Sequence, residues 1–159
     1  SFTTRTISGG GGTAILTSAD FDTAGNAGTI IGDGRLGDSD DRFDGRGGTV
    51  NGQVKGETGN DLYLIDDSSI DLVEVAGQGT DTVNAWVDYT LGDEIEVLIL
   101  RGSAVLGNGN DLGNTITGNA VGNVIDGARA TTRSTGFWAM TLCSARTGST
   151  VCAAAMATT

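Results

Sequence analysis

The nonapeptide "GETGNDLYL", residues 56–64, has glycine at its first and fourth positions, aspartate at its sixth and apolar Tyr63 at its eighth. Two neighbours resemble it: "LGDSDDRFD" (36–44) and "AGQGTDTVN" (76–84). Asp41, Asp61 and Asp81 are therefore 20 residues apart both times, and Phe43, Tyr63 and Val83 stand two places after them. Between the copies, "GGTVNGQVK" (47–55) is a weaker version with Gly52 where the aspartate would be. A sustained period outranks local propensity, because a missed repeat miscalls the whole fold.

A second set of copies follows in strict nine-residue register, "GNDLGNTIT" (109–117) and "GNAVGNVID" (118–126), with Ile116 and Ile125 at the eighth position. Their sixth position holds Asn114 and Asn123. A neutral amide offers an oxygen without charge, so these coils are expected to stack through asparagine hydrogen bonds. Between the two sets, "DTVNAWVDYTL" (81–91) alternates Val83, Ala85, Val87, Tyr89 and Leu91 with mostly polar partners. That is the period of a half-buried strand, which would turn Trp86 outward. "EIEVLILRG" (94–102) reads as another strand.

Glycine fills 27 of 159 positions and proline none, which favours many tight turns over a proline-rich linker. Charge is unevenly placed. Residues 1–126 hold all 20 acidic and six of the nine basic residues, and only Arg129, Arg133 and Arg146 follow. Such an acidic chain repels phosphate backbones and anionic lipid, so neither nucleic acid nor membrane insertion is expected. The longest purely aliphatic run is Val97–Leu100. Histidine is absent, which removes histidine-dependent triads and histidine-ligated zinc and favours hard-metal binding as the use of the aspartates. The start at Ser1, with no signal-peptide pattern, reads as a fragment.

The glycine–aspartate nonapeptides, with the block from "GNDLYLIDD" through "VDYTLGDEIEVLIL" to "GNTITGNAVGNVIDG", resemble the hemolysin-type calcium-binding repeats of RTX (repeats-in-toxin) proteins over roughly residues 36–127. The resemblance implies an all-β fold, a parallel β-roll or β-solenoid in which short strands alternate with glycine-rich turns and two nonapeptides complete a coil. It also implies calcium ions between stacked turns, one between 36–41 and 56–61 and another between 56–61 and 76–81, with Asp61 shared. Asp41, Asp61 and Asp81 would be the charged ligands, and Gly37, Gly56, Gly59, Asn60, Gly77 and Gly79 would shape the turns and offer their oxygens. Phe43, Tyr63 and Val83 would point into the roll.

The chemistry suits calcium, which takes six to eight oxygens and no softer atom. Without metal, close carboxylate pairs repel by about 1–4 kcal/mol at 4 Å, depending on the effective dielectric. A thin roll buries little apolar surface against the cost of ordering its backbone, so calcium binding and folding are expected to be coupled. Asp66, Asp67 and Asp71 are expected to form a solvated turn on the opposite side of the roll.

Residues 1–35 read as a poorly defined, solenoid-like lead-in. The register calls for a new repeat at Gly127, and none comes. If the reading frame was lost there, Trp138 followed by Ala139 forces a glycine codon and Met140 followed by Thr141 forces an aspartate codon, with asparagine permitted between them. Residues 128–159 are therefore read as an out-of-frame, disordered tail, against the alternative of a true tail with Cys143 and Cys152 as a disulfide.

Three functions compete. The first is a non-enzymatic calcium-binding segment of a secreted bacterial protein, extracellular, with the type I secretion machinery as a partner through its parent. The second is the non-catalytic C-terminal module of a secreted hydrolase, protease or lipase, whose active site lies upstream. The third is an adhesin or structural surface solenoid.

Overall fold

The computed structural model describes residues 3–7, 15–18, 22–127, 133–137, 142–144 and 151–155, with side chains over 23–127. The chain forms two compact units, residues 1–82 and 83–159. Every element described is a strand, and every pairing given is parallel, as expected of a β-solenoid.

The first unit contains β1 (Thr3–Ile7), β2 (Ile15–Ser18), β3 (Asp22–Asn26), β4 (Thr29–Ile31), β5 (Gly34–Asp38), β6 (Arg42–Asp44), β7 (Thr49–Asn51), β8 (Gln53–Thr58), β9 (Leu62–Ile65) and β10 (Asp71–Val73). Strands β1, β3, β6 and β9 stack in that order on one side, β2, β5, β8 and β10 on another, and β4 pairs with β7. Arg42 lies beside Leu62, Thr29 beside Thr49 and Gly34 beside Val54, so the coil is 20 residues long. The stack reaches back through β3 into the segment read as a lead-in.

Period-two alternation sends Asp61, Tyr63 and Ile65 to the same inner face, and likewise Asp41 and Phe43. The sixth-position aspartate is thus buried by the same geometry that buries the apolar eighth position. Turns stack closely enough to exclude side chains. A Cβ on Gly79 would overlap the Gly59 carbonyl, and one on Gly59 the Ser39 carbonyl.

From β8 to β10 the register tightens, since Val73 lies beside Lys55, 18 residues apart. Yet Thr82 donates to the Asp61 carbonyl as Leu62 does to that of Asp41, so the coil as a whole keeps its 20 residues. Lys55 to Leu62 is seven residues, and Val73 to Thr82 is nine. Two residues have moved from the far turn into the aspartate turn. This shift brings Glu74 alongside Gly56.

The second unit takes up β11 (Thr82–Ala85) from Val83 onward and contains β12 (Tyr89–Thr90), β13 (Val97–Leu100), β14 (Leu106–Asn108), β15 (Thr115–Thr117), β16 (Val124–Asp126), β17 (Arg133–Phe137), β18 (Leu142–Ser144) and β19 (Val151–Ala155). Its stacks run β13, β15, β17, β19 and β12, β14, β16, β18. Val97 pairs with Thr115, which pairs with Arg133, a coil of 18 residues. The out-of-frame reading of 128–159 falls largely outside the described residues; β17, β18 and β19 within it keep the 18-residue register.

The single strand expected over 81–91 is broken in two by a bend at Trp86–Asp88. At the break the Asp88 side chain accepts the N–H groups of Val105 and Leu106 at 2.6 and 2.8 Å. Trp86 is half-buried beside Gly102 rather than fully outward. Asn84, a polar position of the alternation, is buried and accepts from Arg101 Nε at 2.8 Å.

Candidate metal centre

Asp41, Asp61 and Asp81 retain 1, 1 and 3 % of their exposure. They form a ladder: the Asp41 N–H donates to Asp61 Oδ1 at 2.7 Å, and the Asp61 N–H donates to Asp81 Oδ1 at 2.8 Å. The backbone thereby satisfies one oxygen of Asp61. Its other oxygen, Oδ2, is buried and has no hydrogen-bond partner among the described residues. Leaving such an atom charged inside a protein costs free energy that native folds rarely tolerate without a compensating proton, water or ion.

Asp61 Oδ2 faces further acid. One oxygen from each of Asp61, Glu74 and Asp81 lies within 4.8 Å of the others. The Tyr63 hydroxyl donates to Glu74 Oε1. A Cβ at Gly56 would overlap Asp61 Oδ2, Glu74 Oε1 and Tyr63 Oη together, so this glycine leaves open the volume on which three oxygens converge. Burial pushes the Asp61 carboxyl up to about 7; the Asp41 N–H opposes this, while the charges of Asp81, Asp41 and Asp40 add to it. Burial, reinforced by Glu74, holds the Tyr63 phenol proton far above its ordinary range, so the hydroxyl stays a donor. An oxygen-only, multiply acidic cradle with an orphaned carboxylate atom fits a hard cation.

The other expected site residues occupy distinct places. Gly37 and Gly77 take positive φ, 116° and 70°, at equivalent turn positions, where Glu57 has φ 78°. Gly59 has φ 132°, and its counterpart one turn back is Ser39 at 94°. The exposed Asn60 side chain accepts from Thr80 N at 2.9 Å and donates to Asp40 Oδ1 at 3.0 Å, tying three turns together. Asp41 meets Asp61 through its own N–H and is not one of the three converging acids. Glu74 and the Tyr63 hydroxyl were not anticipated. The 20-residue period pairs Glu74 with Val54, and only the altered turn lengths place it beside Gly56.

The second unit treats the same position oppositely. Asn114 Oδ1 accepts from Asn110 N at 2.8 Å, while its Nδ2 donates to the Ile95 carbonyl at 3.0 Å and to Asn110 Oδ1 at 2.9 Å. Asn123 repeats the pattern with Asn119 and Ala104. An amide both accepts and donates, so a buried asparagine is satisfied by its own turn and the one stacked on it; an ionised carboxylate can only accept. The expected asparagine stacking is present.

On the far side of the first unit, Asp66 and Asp71 are exposed and Asp67 half-buried. Asp66 accepts from Gly47 N, Asp67 from Ser69 N and Asp71 from Gln53 Nε2. These acids cap turns and strands.

Fold and acid ladder together define a parallel β-solenoid protein with an internal carboxylate cluster. No helix among the described residues is long and apolar enough to cross a membrane. Part of the chain is similar to the endo-1,3-1,4-beta-glycanase ExsH of Rhizobium meliloti (strain 1021), 37% identical over 70 residues, which is 44% of this chain and 15% of that protein. A second glycanase of the same organism, EglC, is 33% identical over 63 residues, 40% of this chain and 14% of its own length. The similarity thus spans a small part of the relatives. No family model and no solved structure matches.

Proposed function

We propose that this chain is a calcium-binding β-roll segment of a secreted bacterial protein, and that calcium completes its folding after export. The observation that carries the reading is Asp61 Oδ2, buried and without a hydrogen-bond partner among acidic neighbours. The contrast with Asn114 sharpens it: where the chain needs no ion, it uses an amide at the same turn position. Extracellular calcium modules typically bind at about 10⁻⁴–10⁻³ M. At such affinity the segment would remain loose in a calcium-poor cytoplasm and set outside the cell, with type I secretion as the route of its parent.

A second reading, supported by the partial similarity to two glycanases, makes the segment a non-catalytic module of a larger secreted hydrolase acting on a glycan. Both readings predict the same calcium chemistry. Titrating the full chain with calcium by calorimetry, alongside circular dichroism with and without chelator, tests it. Binding heat near millimolar calcium and a gain of strand signal are expected. Identical spectra and no heat would overturn the proposal.

A further inference from the structure

We propose that Glu74, which stands outside every glycine–aspartate repeat, supplies a third carboxylate to an internal cation site with Asp61 and Asp81, positioned by the Tyr63 hydroxyl. This deepens the calcium reading and rests on it. The turn-based expectation drew its charged ligands from the repeats alone, with one ion per pair of stacked turns. The geometry makes the second site different in kind. Its third acid comes from just beyond β10, delivered by the two residues that the coil moves into the aspartate turn.

Four observations converge. Asp61 is buried, and its Oδ2 has no hydrogen-bond partner. Oxygens of Asp61, Glu74 and Asp81 lie within 4.8 Å of one another. The volume that a Cβ of Gly56 would occupy is bounded by Asp61 Oδ2, Glu74 Oε1 and Tyr63 Oη. Finally, Tyr63 fills the position that carries Phe43 one coil earlier, so a hydroxyl is present here and absent there. A phenol donating to Glu74 fixes the carboxylate before the ion arrives, which lowers the ordering cost of binding. Three carboxylates and only oxygen donors favour a hard cation of high charge, calcium in solution and a trivalent lanthanide as its probe.

The test uses the full chain with terbium and calcium. A lanthanide beside Tyr63 accepts excitation from the phenol, so terbium luminescence with a tyrosine component in its excitation spectrum that is lost in Tyr63→Phe, and is therefore not due to Tyr89, reports this site. Wild type is expected to show that luminescence and to lose it as calcium displaces terbium. Glu74→Gln keeps the shape and the hydrogen bond to Tyr63; it should weaken the calcium-displaceable class at least tenfold. Asp71→Asn, an equal loss of charge at an exposed position of β10, should titrate like wild type.

If Glu74→Gln titrates like wild type, Glu74 is no ligand, while calcium binding by the turns stands. If wild type binds neither calcium nor terbium, the calcium reading fails and this inference with it. Should Glu74→Gln not fold, Tyr63→Phe decides: undiminished tyrosine-sensitised luminescence in that variant would place the ion elsewhere and overturn the proposal.

Discussion

Raising the calcium-free protein from about pH 5 to about pH 8 should destabilise its first unit, because Asp61 must then ionise inside the fold. The folded carboxyl sits at about 7, against 3.8 for the free group. Between those values the native state holds a proton that the unfolded chain has released, so stability falls as pH rises. The penalty is absent below the unfolded value and complete above the folded one. Roughly two pH units separate pH 5 from the folded value, and at about 1.4 kcal/mol each they set a ceiling of about 3 kcal/mol. An effective dielectric well above that of a dry interior reduces this to about 2 kcal/mol. In urea, with a slope of about 2 kcal/mol per molar, the midpoint should drop by about 1 M. Asp33, Asp44, Asp67 and Asp88 are shifted downward by hydrogen bonds, Asp44 to about 2 by Arg46 and Arg42, so their contributions fade only below the ordinary carboxylate value. Urea melts followed by circular dichroism in chelator would measure the slope. Asp61→Asn should flatten it and raise stability at pH 8. Saturating calcium should reverse it, since the ion binds the ionised form. A calcium-free wild type as stable at pH 8 as at pH 5, or an Asp61→Asn variant with an unchanged slope, would refute the reasoning.

Two further substitutions probe the turns. Gly79→Ala sets a Cβ against the Gly59 carbonyl and should cost more than about 2 kcal/mol, whereas Gly77→Ala, at φ 70° with open space around it, should cost about 1 kcal/mol; equal effects in thermal melts would refute close stacking of the turns. Asn114→Asp removes the donor to Ile95 and leaves a buried charge, so it should destabilise the second unit by about 2–3 kcal/mol at neutral pH; a neutral effect in urea melts would deny the asparagine its structural role.

Much of this architecture is legible from periodicity. The recurrence of Asp41, Asp61 and Asp81 at 20 residues and of Asn114 and Asn123 in nonapeptide register gives coil length, turn positions and the inward side chains, because each coil repeats the geometry of the last. The break at Trp86–Asp88 was not legible. Alternation over 81–91 is continuous, and nothing in it signals that the Asp88 carboxylate accepts the N–H groups of Val105 and Leu106 where the chain bends.

The sequence by itself determined that carboxylates would line one set of turns and amides another, since residue type and spacing follow from the repeat. Only the tertiary structure decided which acids meet. A two-residue exchange between the turns that flank β10 leaves the overall period untouched while sliding Glu74 from Val54 to Gly56. Period counting sums the residues of a coil and is blind to how they are divided between its two turns. Where a side chain lands across the roll depends on that division, and so does the site.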